Sequence, residues 1–278
     1  MGTRTTNFAV ILVLVLAGCG SCEEETENGE NGDTGITDTV EDDTTNGVES
    51  WPIVRVSVAS DGTQQNLSGA FPSISEQGRF VSFVSEADNL VPDDTNQVTD
   101  VFEHDRDADD DGTYDQTESG KRQTVRASVT SAGEEGTGGQ SSHTATSADG
   151  RFVAFGSAMT NLASGDSNQA PDIFVFDREA GETVQVSVAS DGTPADSGLL
   201  NQGSINPDIS ASGRFVVFRS SSTNLVAGDT NGLPDIFVHD RDADEDGTFD
   251  EPGEVATVRV NVDDDGNQTV PPDRKSVV

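Results

Sequence analysis

RFVSFVS, residues 79 to 85, decides the reading of this chain. In an extended strand Phe80, Ser82 and Val84 point to one face, and Val81, Phe83 and Ser85 to the other. Both faces are then partly apolar, the pattern of a strand packed between neighbouring sheets. The stretch recurs as RFVAFGS from Arg151 and RFVVFRS from Arg214, and each copy follows a short turn: EQG, ADG or ASG. A second strand comes next: DVFEHDR from Asp100, DIFVFDR from Asp172 and DIFVHDR from Asp235. The step from Phe83 to Phe102 is 19 residues, and the steps from Phe155 to Phe174 and from Phe218 to Phe237 repeat it. One supersecondary unit is used three times.

A third strand closes each unit: TVRASV from Thr124, TVQVSV from Thr183 and TVRVNV from Thr257. A fourth copy, IVRVSV from Ile53, precedes the first unit. A weaker strand stands before each turn: FPSIS from Phe71, HTATS from His143 and NPDIS from Asn206. Four short antiparallel strands per unit is the count of a propeller blade. The expected fold class is all-β: a β-propeller-like array of about three four-stranded antiparallel blades in an incomplete or open ring. DDDGNQTV from Asp263 repeats the start of ASDGTQQN from Ala59, as though a fourth unit were beginning. Either further blades follow in a longer chain, which is the favoured expectation, or two chains complete one ring. An open arc also exposes sheet edges, so self-association is an expected hazard.

The pattern PSIS-x-x-G-R-F-V-x-F followed by D-I-F-V-x-D-R resembles the WD-like repeats of TolB-type β-propellers. The resemblance covers about residues 53 to 266, and the units here are longer than the usual blade of that family. It implies the fold but little about function. Such blades occur in TolB-like periplasmic proteins, in peptidase accessory domains and in envelope lipoproteins.

The 278 residues include 51 acids against 15 Lys plus Arg, for a formal charge of −36. A surface this acidic repels phosphate backbones, which excludes nucleic acid as a partner and favours cations. The acids begin early. Residues 23 to 50, EEETENGENGDTGITDTVEDDTTNGVES, lack Lys and Arg and hold almost no large apolar side chain, so they read as an extended, disordered tether.

Before that tether, Arg4 and the apolar run FAVILVLVLA from Phe8 lead into LAGC, ending at Cys19. The run is too short to span a bilayer comfortably. It resembles the lipobox of bacterial lipoproteins, which implies that Cys19 is diacylated and becomes the mature N-terminus. Gly20 in the next position implies outer-membrane sorting. Cys22 is then a bystander, and an acylated Cys19 leaves no redox or metal pair. The organisation read from these features is a signal peptide over 1–18, a tether over 19–50, repeats over 51–266 (units 53–129, 130–188 and 189–262) and a tail over 267–278.

DADDDGTYDQTE, residues 107 to 118, aligns with a twelve-residue EF-hand-type loop. Asp107, Asp109 and Asp111 take positions 1, 3 and 5, and Gly112 takes the sharp turn at 6. Thr113 offers its carbonyl at 7, Asp115 stands at 9 and Glu118 at the bidentate place. The second loop aligns Asp242, Asp244, Asp246, Gly247, Thr248 and Asp250 in the same way, but position 12 is Gly253. Glu251 or Glu254 stands in from a neighbouring place, so this loop reads as the weaker of the two. Both lie between two strand patterns with no helix pattern beside them, and the middle unit crosses the same gap with only EAGET. The expectation is structural calcium on a β-hairpin tip. A second pattern, D-x-N-x-x-x-D at Asp94, Asp166 and Asp229, reads as an Asx-type turn before a strand, with cation ligation as the alternative.

Catalytic signals are weak. His104 and His239 share one repeat position that Phe176 fills in the middle unit, and His143 matches Phe71 and Asn206, so all three histidines read as packing. The arginines recur blade by blade, as scaffold ion pairs do. No G-x-S-x-G elbow, P-loop or G-x-G-x-x-G after a strand is present. The expected function is a lipid-anchored, calcium-stabilised binding or scaffolding module of the cell envelope, with a protein or envelope polymer as partner. The alternative is the non-catalytic propeller part of a longer envelope hydrolase or peptidase.

Overall fold

The computed structural model describes residues 53–166, 168–198 and 202–268. The signal peptide, Cys19, the tether and the tail past residue 268 lie outside the described residues. Within them every regular element is a strand. Twelve strands form three four-stranded antiparallel sheets. The first blade holds β1 (Gly69–Ile74), β2 (Phe80–Ser85), β3 (Asp100–Asp105) and β4 (Gln123–Arg126). The second holds β5 (Ser141–Thr146), β6 (Phe152–Ser157), β7 (Asp172–Asp177) and β8 (Glu182–Gln185). The third holds β9 (Ser204–Ile209), β10 (Phe215–Ser220), β11 (Asp235–Asp240) and β12 (Ala256–Arg259). Strand order follows sequence order in each sheet, β9 packs on β5 and β5 on β1, and the array is unclosed.

The repeated letters have local jobs. The Ser that follows each first strand turns the chain. Ser75, Ser147 and Ser210 accept the backbone N–H of Phe80, Phe152 and Phe215 on their hydroxyls, each at 3.0 Å. The 19-residue step places Phe83 opposite Phe102, Phe155 opposite Phe174 and Phe218 opposite Phe237 across the central strand pair. Their rings stack with centroids 5.9, 5.8 and 6.0 Å apart. The slot shared by Phe71, His143 and Asn206 is a backbone position: all three are left-handed, at φ 50°, 46° and 56°. β1 and β5 shift register beside it.

Blades join through one repeated contact set. The Gly of each ADG or ASG turn lies flat on the Phe that opens the second strand of the preceding blade. A Cβ on Gly150 would stand 2.0 Å from Phe80, and one on Gly213 2.2 Å from Phe152. Arg178 lies over Phe80 at 4.1 Å from the ring centroid and Arg241 over Phe152 at 4.7 Å. At the outer strands Thr183 donates to the Val129 carbonyl at 2.6 Å and Thr257 to that of Val188 at 2.5 Å. The two inter-blade cores draw on both sides: Val84 and Val101 meet Val153, Phe155 and Phe174, while Ile173 and Val175 meet Val216, Phe218 and Phe237. On the third blade the matching face has no following blade among the described residues. There Phe215 is 41% exposed, where Phe80 and Phe152 are 5% and 2%.

Candidate metal centre

Both acidic loops sit on the hairpin that joins the third and fourth strands of a blade, β3 to β4 and β11 to β12. The middle blade makes the same crossing with a tight turn, in which Gly181 donates to the Asp177 carbonyl at 2.8 Å. The two loops fold alike. Asp107 is buried and accepts the backbone N–H groups of Asp111 at 3.1 Å and Gly112 at 2.9 Å. Asp242 does the same with Asp246 at 3.0 Å and Gly247 at 3.2 Å. Gly112 and Gly247 hold φ of 82° and 91°, a left-handed turn that glycine makes without steric cost. The first acid of each loop thereby winds the chain around itself, and the acids two and four residues later come back toward it.

Asp107, Asp109 and Asp111 converge, with one oxygen from each inside a 4.8 Å span, and Asp242, Asp244 and Asp246 do likewise. Oxygen donors alone, at surface-accessible hairpin tips, fit a hard cation such as calcium. The other aligned positions lie elsewhere. Asp115 is held by the guanidinium of Arg106, with Nε donating at 2.8 Å, and Asp250 by that of Arg241, with Nε at 3.0 Å. These two acids close the loop onto the blade and are not grouped with the three convergent carboxylates. The Thr113 carbonyl accepts from Gln116 Nε2 at 3.2 Å, while Glu118 is bound through its backbone, its carbonyl accepting the Lys121 N–H at 3.3 Å. Thr248 donates its backbone N–H to Asp246 at 2.8 Å.

Counter-charge separates the loops. In the first, the Lys121 ammonium bonds Asp109 and lies 2.9 Å from Asp111. That ammonium, with Gln116, holds the Asp111 carboxyl well below its ordinary range. In the second loop Glu254 takes the place of Lys121: its carbonyl bonds the Ala243 N–H at 2.8 Å as that of Lys121 bonds Ala108 at 2.9 Å. Glu251 stands beside the cluster, its pKa raised first by burial and then by Asp246, Asp244, Glu254 and Asp242. The first loop's three convergent acids have a cation beside them, and those of the second have none among the described residues. The missing position-12 acid ranks the second loop as the weaker, whereas the charge brought by Lys121 or Glu254 is a separate difference that spacing alone does not tell.

The remaining charged groups brace the blades. Arg79, Arg151 and Arg214 pair with Asp105, Asp177 and Asp240 at 2.8, 2.7 and 2.7 Å. His104 and His239 are buried, each 2.8 Å from the hydroxyl of Thr124 or Thr257, and burial drives both down to about 4, which keeps them neutral. Sequence reading missed one group. Glu103 is buried where the sister blades carry Val175 and Val238, with Arg178 at 3.5 Å. Burial pushes its pKa up to about 8.

No protein-family model matches the chain, and no curated protein does. Solved structures do. A protein of Agrobacterium tumefaciens assigned as TolB shares 18% identity over 69% of this chain and 49% of its own, with a TM-score of 0.36. TolB from Acinetobacter baumannii shares 16% over 67% and 32%, at 0.34. The β-propeller domain of the trilobed protease from Pyrococcus furiosus shares 10% over 69% and 42%, at 0.33. The chain spans half or less of each of these structures. Likeness at this level carries no weight for function, and the assignment of an all-β, open propeller-like array rests on the three sheets themselves.

Proposed function

We propose that this chain is a calcium-stabilised propeller module that binds or scaffolds a partner at the bacterial cell envelope, tethered by a lipid on Cys19. The observation that carries the calcium reading is the second hairpin tip. Three carboxylates converge there, a fourth lies beside them, and no basic group among the described residues pairs with the three. Like charges a few Å apart at surface dielectric cost on the order of 1 kcal/mol or more per pair, and a divalent ion reverses the sign. When bound, the ion ties the tip of a long hairpin to one geometry. Asp242, Asp244 and Asp246 would hold it in the third blade, and Asp107, Asp109 and Asp111 in the first, where it displaces Lys121. Extracellular modules of this kind bind calcium at about 10⁻⁴ to 10⁻³ M. The binding role rests on the open propeller-like array of three blades. The lipid tether rests on LAGC at residues 16 to 19.

Calorimetry with calcium tests the first part. The expected result is saturable binding that Asp242→Asn with Asp246→Asn reduces, and the absence of any binding heat at millimolar calcium overturns it. Cys19→Ser is expected to release the chain from membranes and abolish fatty-acid labelling, and unchanged retention removes the anchor.

A further inference from the structure

The D-x-N-x-x-x-D turn precedes the third strand of every blade, and its last acid, Asp100, Asp172 or Asp235, is buried in each. In two blades a guanidinium stands among the carboxylates. Arg126 lies 3.3 Å from Asp94 and 3.7 Å from Asp100. Arg259 lies 3.7 Å from Asp229 and 3.2 Å from Asp235. Both arginines occupy the same register position, Arg126 opposite Phe102 and Arg259 opposite Phe237. In the middle blade that position, opposite Phe174, is Gln185. The residues that brace the guanidinium change with it. Glu135 accepts from Arg126 at 2.6 Å and Gln268 from Arg259 at 2.8 Å, and the matching bridge position in the middle blade is Pro194.

The two acids of the middle blade remain. Asp172 accepts from Asn168 Nδ2 at 2.9 Å and from the Ser187 hydroxyl at 2.6 Å. Both carboxylate oxygens of Asp166 are shut off from solvent, and among the described residues neither has a well-formed hydrogen bond. Burial raises the Asp166 pKa, against a weaker pull from the Asn168 N–H, and takes Asp172 up to about 6, with the charge of Asp166 adding to it. A buried carboxylate pair with no counter-ion among the described residues is strongly unfavourable. The sister blades answer this with a fixed cation.

We propose that the middle blade binds a divalent metal ion, calcium by the hardness of its ligands, between Asp166 and Asp172, in the place that Arg126 and Arg259 fill in the other two blades. Two carboxylates match a double positive charge, and all the donors are oxygens. Gln185 contributes an amide at the station of the arginine, with its Nε2 donating to the Ser187 hydroxyl at 3.3 Å. Gln185 is shorter than the arginines of the sister blades and carries no charge. The site shares no residue with the two hairpin loops.

The test uses the full chain carrying Asp109→Asn, Asp111→Asn, Asp244→Asn and Asp246→Asn, so that binding at the loops and in the middle blade are told apart. Bound calcium is counted by equilibrium dialysis. One calcium per chain is expected to remain in this background. Adding Gln185→Arg, which recreates the sister blades, is expected to reduce it to none while the melting temperature in chelator holds or rises. Asp166→Asn, nearly isosteric, is expected to weaken binding at least tenfold and covers the case in which the arginine variant fails to fold. Loss of all calcium binding in the loop-disabled background overturns the proposal while leaving the loops intact. So does one calcium retained by both middle-blade variants. A melting temperature that rises below pH 6 with no response to calcium overturns it too, since the pair then shares a proton in place of a metal.

Discussion

Glu103 is a buried side chain whose ionisation works against this fold. Its folded pKa of about 8 stands above the ordinary 4.5, because burial outweighs the attraction of Arg178. Between those values the folded chain holds a proton that the unfolded chain has released. The contribution to stability is therefore present at low pH and lost as pH rises toward 8, with a ceiling of about 1.4 kcal/mol per pH unit. His104 and His239 act in the opposite sense. Each falls from 6.5 to about 4, so the unfolded chain binds the proton first and stability drops as pH falls from 6.5 to about 4. Glu103→Val, the residue type of the sister blades, is expected to raise the melting temperature most at pH 8 and above and hardly at all near pH 4.5. A pH-independent effect in thermal melts would show that the group is ionised and satisfied. None of this was legible in DVFEHDR, because a single Glu in an alternating strand reads as solvent-facing until a neighbouring blade is placed over it. Asp115 and Asp250 teach the same lesson. Their spacing fits a ligand, but Arg106 and Arg241, nine residues earlier, already hold them.

The hairpin is the element on which the calcium reading turns. Lys121 and Glu254 occupy one structural place with opposite charge, so the loops should differ in affinity. The second is expected to bind calcium more tightly, and Lys121→Gln to tighten the first severalfold while leaving the second unchanged, as read by titration of single-loop variants. Equal affinities with and without Lys121 would mean that the ammonium swings clear at no cost. The strands themselves were legible, because alternation, the Ser before each turn and the 19-residue step are local facts. The left-handed slot at Phe71, His143 and Asn206 was visible only as a column of unlike residues. A Phe there is strained by roughly 1–2 kcal/mol relative to ordinary backbone, which a propensity reading does not anticipate.

At the scale of the whole molecule, stability is a sum over blades and the contacts between them. The turn glycines are the tightest of those contacts. Gly213→Ala puts a methyl group against the Phe152 ring and strains a φ of 79°. It is expected to destabilise by about 2 kcal/mol or more, from the left-handed backbone plus the clash. Gly247→Ala, with open space around it, carries only the backbone part. Similar losses for the two in denaturant unfolding would place the blade contact elsewhere. Three units and an unclosed array were legible from the repeat count. The way charge is balanced, by arginine in two blades and by no guanidinium at that station in the third, was not, since it depends on which acids the register across β7 and β8 brings beside Gln185. Bound divalent cations are expected to complete this acidic scaffold. Thermal unfolding of the chain, first in chelator and then with calcium raised to about 10 mM, tests it most directly. At about ten times Kd each site adds roughly 1.4 kcal/mol, so the melting temperature should climb by several degrees, with magnesium giving less. A melting temperature that calcium leaves unmoved would contradict the account.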